Sequence, residues 1–214
     1  MNNLLLSTGQ IAFLIIVPTV VIALAVLVIV LVIRHKNEQK DFKMHYYKRI
    51  YKIAMDKDYY LINNFLFKID DSHVGRIDHI LFADKYIYII NDFFYDGNIV
   101  GKENDSDIIC INKYGQKSYQ ENPLGTNKKL LTRLSLVTGI DKTLLIGVSL
   151  INDNCECGVT SSSKSFYIIQ SKHINKLIKA IESRQIGNIN KEQLASAVKA
   201  IDKLNRRKRY AEQK

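Results

Sequence analysis

The sequence predicts an α/β protein: a transmembrane helix near the N-terminus, then a mixed β-sheet flanked by helices, then two C-terminal helices. Three observations support this prediction. Residues 11–33 carry no charged side chain. Strand-like apolar runs between residues 59 and 170 are interrupted by one helix-like segment. Residues 171–204 contain two segments with apolar residues at helical spacing.

The apolar run over residues 11–33 is long enough for a membrane helix. At about 1.5 Å per residue it covers about 34 Å, against a hydrocarbon core of about 30 Å. Nothing basic precedes the run, whereas Arg34, Lys36 and Lys40 follow it. We therefore predict an uncleaved single-pass anchor in the cell membrane, with the bilayer as its partner, the N-terminus outside and the following domain in the cytoplasm. The predicted organisation is an extracytoplasmic segment 1–10, a transmembrane helix 11–33, a juxtamembrane linker 34–41, an α/β domain 42–170 and a helical basic tail 171–214.

The α/β domain begins with a predicted helix over residues 42–56. Apolar and turn residues then predict the strands 59–67, 74–82, 86–90 and 107–112, with Gly97 and Gly101 marking a short connection. Asn122 and Pro123 open a helix that Gly139 ends. Two more strands are predicted over 143–150 and 165–170, separated by a polar loop or hairpin at 152–164.

Two helices are predicted at the C-terminal end. Ser171 is the expected N-cap of the first, and residues 190–193 resemble a capping box at the start of the second. Three antiparallel strands followed by a helix and another strand require a crossover connection. The result is a mixed sheet covered by helices.

The formal net charge of +10 is unevenly distributed. Residues 42–163 carry equal numbers of acidic and basic groups, so the central domain does not have the composition of a basic nucleic-acid binder. The excess lies in residues 164–214, with thirteen basic and four acidic side chains, and it ends in Arg206, Arg207, Lys208 and Arg209. This run fits a site for anionic lipid or nucleic acid. It equally fits a solvated helix end, where cations are favoured.

The three cysteines Cys110, Cys155 and Cys157 form no disulfide framework, which is typical of a reducing compartment. A Cys-x-Cys pair without a second pair or suitably spaced histidines does not predict a metal site.

Four segments in order resemble the nuclease-related domain (NERD) family over residues 44–151. They are Gly-Arg-Ile-Asp-His-Ile-Leu at 75–81, Tyr-Ile-Tyr-Ile-Ile at 86–90, Gly-Asn-Ile-Val-Gly at 97–101 and Asn-Pro-Leu at 122–124. The resemblance implies a restriction-endonuclease-like fold. In an active member of that fold, two carboxylates on adjacent strands hold Mg²⁺, and a lysine two residues beyond the second carboxylate positions the attacking water.

Carried onto this chain, the family pattern keeps one catalytic residue, Asp78. The family's Glu falls on Asn91, its Lys on Phe93 and its Gln on Thr126. An amide brings no charge to Mg²⁺, and phenylalanine cannot replace lysine. Asp92, one residue later, would face away from Asp78. The resemblance therefore implies a catalytically degenerate domain without a cofactor, in which Asp78 has the alternative role of pairing with a backbone amide or a basic group.

The leading functional interpretation is a non-enzymatic scaffold or binding module for a protein or a nucleic acid. Two alternatives remain. The first is a Mg²⁺-dependent nuclease with relocated residues, for which Lys85, Lys102, Lys128 and Lys129 are the candidate lysines. The second is a lipid- or nucleic-acid-binding basic tail on an inert domain.

Overall fold

The computed structural model describes the backbone of residues 8–69 and 73–205 and the side chains of 17–33, 42–69 and 73–205. The chain divides into two compact units, Met1–Met44 and His45–Lys214. The predicted basic run Arg206–Arg209 lies outside the described residues. The elements in chain order are α1 (Thr8–Lys57), β1 (Tyr60–Lys68), β2 (Val74–Phe82), β3 (Ile87–Phe93), β4 (Asn98–Lys102), β5 (Asp107–Ile111), β6 (Lys117–Glu121), α2 (Pro123–Thr138), β7 (Leu145–Ile151), β8 (Cys157–Thr160), β9 (Phe166–Gln170), α3 (Ile174–Glu182) and α4 (Lys191–Leu204).

The N-terminal helix α1 differs from the prediction. It runs without interruption from Thr8 to Lys57, so the expected linker at 34–41 is part of the helix. The expectation of a transmembrane helix is wrong: within the described part of the chain, no helix is both long and apolar enough to cross a bilayer. The predicted single-pass location at the cell membrane is wrong for the same reason.

The larger sheet is mixed, as predicted. Its strand order is β1-β2-β3-β7-β9. The strands β1, β2 and β3 form an antiparallel meander, while β7 pairs parallel with both β3 and β9. The helix α2 makes the crossover from the meander to β7. An α/β fold with a mixed sheet and helices is therefore confirmed, and it is consistent with a restriction-endonuclease-like fold.

A second sheet, with the order β6-β5-β4-β8, was not predicted. The expected short connection at 97–101 contains β4, and the expected loop at 152–164 contains β8. These two strands pair parallel, with Ile99 opposite Cys157. The buried side chains Tyr95, Ile99, Ile108 and Cys110 form a small core here with Cys155. Because this pairing joins segments more than fifty residues apart, no local sequence pattern predicts it.

Helices cover both faces of the larger sheet. Leu131 and Leu134 of α2, together with Ile201 of α4, belong to the same buried cluster as Ile80 and Ile89 of the sheet. On the other face, Tyr88 donates a hydrogen bond of 2.6 Å to Glu182 of α3. Side chains alternate along a strand, so Ile89 and Tyr88 point to opposite faces.

Both ends of α2 are capped by the residues that the sequence predicts. The side chain of Asn122 accepts from the backbone N–H of Leu124, Pro123 is the first helical residue, and Gly139 ends the helix at φ +73°. Asn190 likewise caps α4 by accepting from Glu192. The predicted cap at Ser171 is wrong, because α3 begins at Ile174 without a side-chain cap and the Ser171 hydroxyl donates to Asp153 instead.

Candidate functional site

The candidate site lies where β2 and β3 separate. Their antiparallel pairing runs from Phe82 opposite Ile87 to His79 opposite Ile90. At the next position, Asp78 and Asn91, hydrogen bonds from side chains take the place of the backbone pairing. The backbone N–H of Asp78 donates to Asn91 Oδ1 over 3.1 Å, and the N–H of Asp92 donates to Asp78 Oδ2 over 3.1 Å. Two of the residues named from the family pattern, Asp78 and Asn91, are thus brought together.

The Asp78 carboxylate is already engaged on both oxygens. Arg76 approaches Oδ1 with Nε at 3.0 Å and Nη2 at 2.7 Å, while Oδ2 accepts from the N–H of Asp92. The Arg76 side chain is half exposed, so solvent screens this ion pair and its contribution to stability is small. Asp78 therefore makes both of the contacts that a structural role requires: a basic partner and a backbone amide.

Asn91 belongs to a buried, uncharged chain of hydrogen bonds. Its Nδ2 donates to Asn127 Oδ1, Asn127 Nδ2 donates to Ser149 Oγ over 2.9 Å, and Ser149 Oγ donates to the carbonyl of Pro123 over 3.0 Å. All three side chains are at most 5% exposed. Buried polar groups of this kind are costly unless each one has a partner.

The donors and acceptors in this chain of hydrogen bonds can be arranged in only one direction. The Pro123 carbonyl can only accept, so Ser149 must donate to it and accept from Asn127. Asn127 then presents its oxygen to Asn91, which must donate with Nδ2 and accept from Asp78 N–H with Oδ1. An ionised carboxylate at position 91 has no donor and cannot make the bond to Asn127.

Phe93 lies where the family has lysine, and its ring packs into the core of the smaller sheet. It stacks on Tyr95 with centroids 6.4 Å apart and an angle of 7° between the rings. Two of the four candidate replacement lysines make contacts elsewhere: Lys85 Nζ donates to the carbonyl of Arg184, and Lys129 Nζ lies 3.6 Å from Glu121. None of these contacts places a cation beside Asp78.

Thr126 does not take part in the site. Its hydroxyl donates to the carbonyl of Asn122 over 3.2 Å, within the first turn of α2. The next residue, Asn127, reaches the strands instead. Neither Asn127 nor Ser149 was predicted from the sequence as a site residue. A signal for Asn127 was present, since it is the polar position on the helix face that Leu124, Leu131 and Leu134 otherwise make apolar.

A second polar cluster lies on the opposite face of the sheet. His79 Nε2 is 3.1 Å from Asp92 Oδ2, and His79 Nδ1 is 2.6 Å from Asn63 Oδ1. The Tyr46 hydroxyl is close by: burial raises its pKa above the ordinary value, and the charges of Asp92 and Asp153 raise it further. Strand alternation separates Asp92 from Asp78, as predicted.

These residues do not fit a Mg²⁺ ion. Mg²⁺ prefers charged oxygen ligands, but the Asp78 carboxylate is already paired with the Arg76 cation and Asn91 brings no charge. Among the side chains that the structure describes, no three His, Cys, Asp or Glu groups are placed to hold one metal ion.

Comparison with known proteins gives one clear match. The sequence model of the nuclease-related domain (NERD) matches residues 36–148, which is more than half of the chain. No curated protein matches. One solved structure, the crystal structure of a protein of unknown function, AF1548, is similar at 11% identity with a TM-score of 0.30, covering 73% of this chain and 78% of that one. A likeness at this TM-score supports no further conclusion.

Proposed function

Because this chain belongs to the nuclease-related domain (NERD) family, we propose that it keeps the α/β architecture of a nuclease-related domain without the cutting chemistry and acts as a binding module. The family match and the mixed sheet give the starting point. The inactivity and the binding role are the proposal.

The observation that carries the proposal is the direction of the hydrogen bonds through Asn91. Its Oδ1 accepts from Asp78 N–H and its Nδ2 donates to Asn127, so this position needs a group that both accepts and donates. A metal-binding carboxylate at position 91 could not donate to Asn127, and its oxygen would face the buried Asn127 Oδ1, which is also an acceptor. The buried network therefore stabilises the fold in a form that excludes the second metal ligand.

Charge favours a protein as the partner over a nucleic acid. Residues 42–163 have no excess of basic groups, whereas nucleic-acid binding depends on neutralising phosphates. The basic residue beside the described site, Arg76, is itself paired with Asp78. We therefore expect weak binding of oligonucleotides at residues 42–163, with any binding by the full chain coming from the basic residues of 164–214.

The test is a cleavage assay on the full chain. Labelled single- and double-stranded DNA and RNA are incubated with Mg²⁺ or Mn²⁺, beside a chelator control. Asp78→Ala is compared with Asp141→Ala, which removes a carboxylate that only caps a short turn at Thr143. We expect no metal-dependent cutting by any of the three proteins, and no shift of the thermal unfolding midpoint with metal.

Metal-dependent cutting that Asp78→Ala abolishes and Asp141→Ala retains would overturn the proposal. It would favour the alternative of a nuclease with relocated residues. Binding of DNA or RNA that weakens steeply with salt, and that persists when residues 206–209 are replaced by alanine, would instead contradict the preference for a protein partner.

A further inference from the structure

The strand β6 forms an open edge of the smaller sheet. It pairs with β5 on one side, and among the strands in the described part of the chain, ordered β6-β5-β4-β8, none pairs with its other side. All five residues, Lys-Ser-Tyr-Gln-Glu, are exposed, and Tyr119 is 76% exposed. An open edge presents backbone donors and acceptors that another strand can pair with.

The ladder to β5 shows which backbone groups point outward. At one end Asn122 N–H donates to the Ser106 carbonyl, and at the other Asn112 N–H donates to the Gln116 carbonyl. Bonded pairs alternate along an antiparallel ladder, so the even-numbered residues of β6 turn their N–H and C=O groups toward β5. Lys117, Tyr119 and Glu121 therefore turn theirs to the open side.

We propose that this edge binds a second copy of the same chain, β6 against β6 in antiparallel orientation. With Tyr119 opposite Tyr119 of the second copy, Lys117 lies opposite Glu121 of that copy, and the reverse pair forms at the other end. All three outward-facing residues then exchange both backbone bonds with their partners. The contact has two-fold symmetry and closes on itself.

The sequence Lys-Ser-Tyr-Gln-Glu complements itself only in this orientation. Antiparallel pairing sets opposite charges against each other at both ends, and side chains of directly opposed residues lie on the same face of the sheet. In-register parallel pairing would set Lys117 against Lys117 and Glu121 against Glu121. The charged ends thus discourage other pairings of the edge while favouring the antiparallel copy.

Within the described residues, the charges at both ends of β6 are only weakly held. Glu121 has Lys129 at 3.6 Å, but both side chains are largely exposed, at 63% and 80%, so solvent screens this pair. The central tyrosine adds an aromatic pair across the symmetry axis. This inference does not depend on whether the domain cuts nucleic acid.

The first test is disulfide cross-linking of the full chain at the symmetry axis. In a hydrogen-bonded antiparallel pair the Cα atoms are about 5.5 Å apart, which suits a disulfide. We expect Tyr119→Cys to form a covalent dimer under mild oxidation. The matched control is Tyr114→Cys, since Tyr114 is also 76% exposed but lies outside the strand. Equal yields from the two variants would overturn the proposal.

The second test uses charge reversal in the Tyr119→Cys background. Lys117→Glu alone, or Glu121→Lys alone, sets like charges together at both ends, and we expect the dimer yield to fall about ten-fold or more. A mixture of the two variants restores opposite charges, so the mixed dimer should form at the original yield. The double variant Lys117→Glu with Glu121→Lys should also dimerise.

A mixture that cross-links no better than either single variant would show that β6 does not pair antiparallel with itself. Circular dichroism of each variant verifies that the exposed substitutions leave the fold intact.

Discussion

At the scale of single residues, Asn91 shows how one hydrogen-bond direction limits which side chain a position accepts. Its amide connects the N–H of Asp78 on one strand with Asn127 on the helix α2. Only a side chain that accepts at one atom and donates at the other satisfies both neighbours. The geometry thus accounts for an asparagine at position 91, where the family resemblance led us to expect a carboxylate.

The variant Asn91→Asp tests this directly. We expect the free energy of unfolding at pH 7 to fall by about 1–3 kcal/mol, because a buried carboxylate cannot donate to Asn127. Its pKa in the folded state would be raised, so the protonated form restores the donor and the loss shrinks as pH falls toward 5. Chemical denaturation at the two pH values measures this. The exposed Asn104→Asp is the control, and an equal loss in both variants would contradict the argument.

A second prediction separates Asn127 from its neighbour Thr126. Asn127→Ala leaves Asn91 Nδ2 without its acceptor and Ser149 Oγ without the donor from Asn127, although Ser149 still donates to the Pro123 carbonyl, and we expect a cost of about 1–3 kcal/mol. Thr126→Ala removes a bond confined to one turn of α2 and should cost less than about 1 kcal/mol. Urea unfolding of both variants gives the comparison. If Thr126→Ala proved the more damaging, the assignment of Asn127 to the site would be wrong.

At the scale of elements, the smaller sheet depends on a glycine at the start of β4. Gly97 has φ +149°, and an added Cβ would lie 2.1 Å from the carbonyl oxygen of Ile111. That carbonyl belongs to β5, whose Ile111 pairs with Asn98. Neither the backbone of β4 nor that of β5 can move away without loss of this pairing.

We therefore expect Gly97→Ala to destabilise the protein by more than about 2 kcal/mol. Gly115→Ala is the matched control: it also has positive φ, at +78°, but nothing lies within 4 Å of an added Cβ. Its cost should be only the about 1–2 kcal/mol of a left-handed alanine. Thermal or urea unfolding compares the two, and a cost for Gly97→Ala no greater than that of the control would show that the strand pairing tolerates the side chain.

At the scale of the whole molecule, Asp153 connects segments that are far apart in the chain. It forms an ion pair with Arg49 of α1 at 2.7 Å, and its Oδ1 accepts from the Ser171 hydroxyl and the Lys172 N–H, both at 2.8 Å. Burial by itself would raise the pKa of Asp153. The hydrogen bonds from Ser171, Arg49 and Lys172 outweigh it and hold the pKa below its usual value.

This depressed pKa predicts how stability depends on pH. The stabilisation by Asp153 is present above its unfolded pKa of about 3.9 and is lost as pH falls through the folded value. We expect Asp153→Asn to lower the free energy of unfolding at pH 7 and to flatten its decline below about pH 4. Denaturation between acid and neutral pH measures both effects.

Glu182 provides a control of opposite sign. Burial raises the pKa of its carboxyl even though Tyr88 and Lys85 N–H donate to it, so its ionisation costs stability as pH rises through the folded pKa. Glu182→Gln should therefore flatten the profile on the neutral side, not the acid side. Identical profiles for the two variants would contradict the assignment.

The amino-acid sequence by itself determined the local features of this protein. The strands β1, β2 and β3, the capped helix α2 and the meander-then-crossover order of the larger sheet all follow from periodicity and turn residues, which act over a few positions. The family pattern likewise drew attention to Asp78 and Asn91, which the structure brings together.

Only the tertiary structure decided the strand pairings and hydrogen bonds between segments that are distant in the sequence. The pairing of β4 with β8, the choice of Asn127 over Thr126 and the engagement of Ser171 by Asp153 each depend on residues far apart in the chain. The prediction of a membrane helix, read from one apolar run alone, was wrong. Local sequence sets the shape of each element. Hydrogen-bond partners and the burial of each face are set only when the elements pack together.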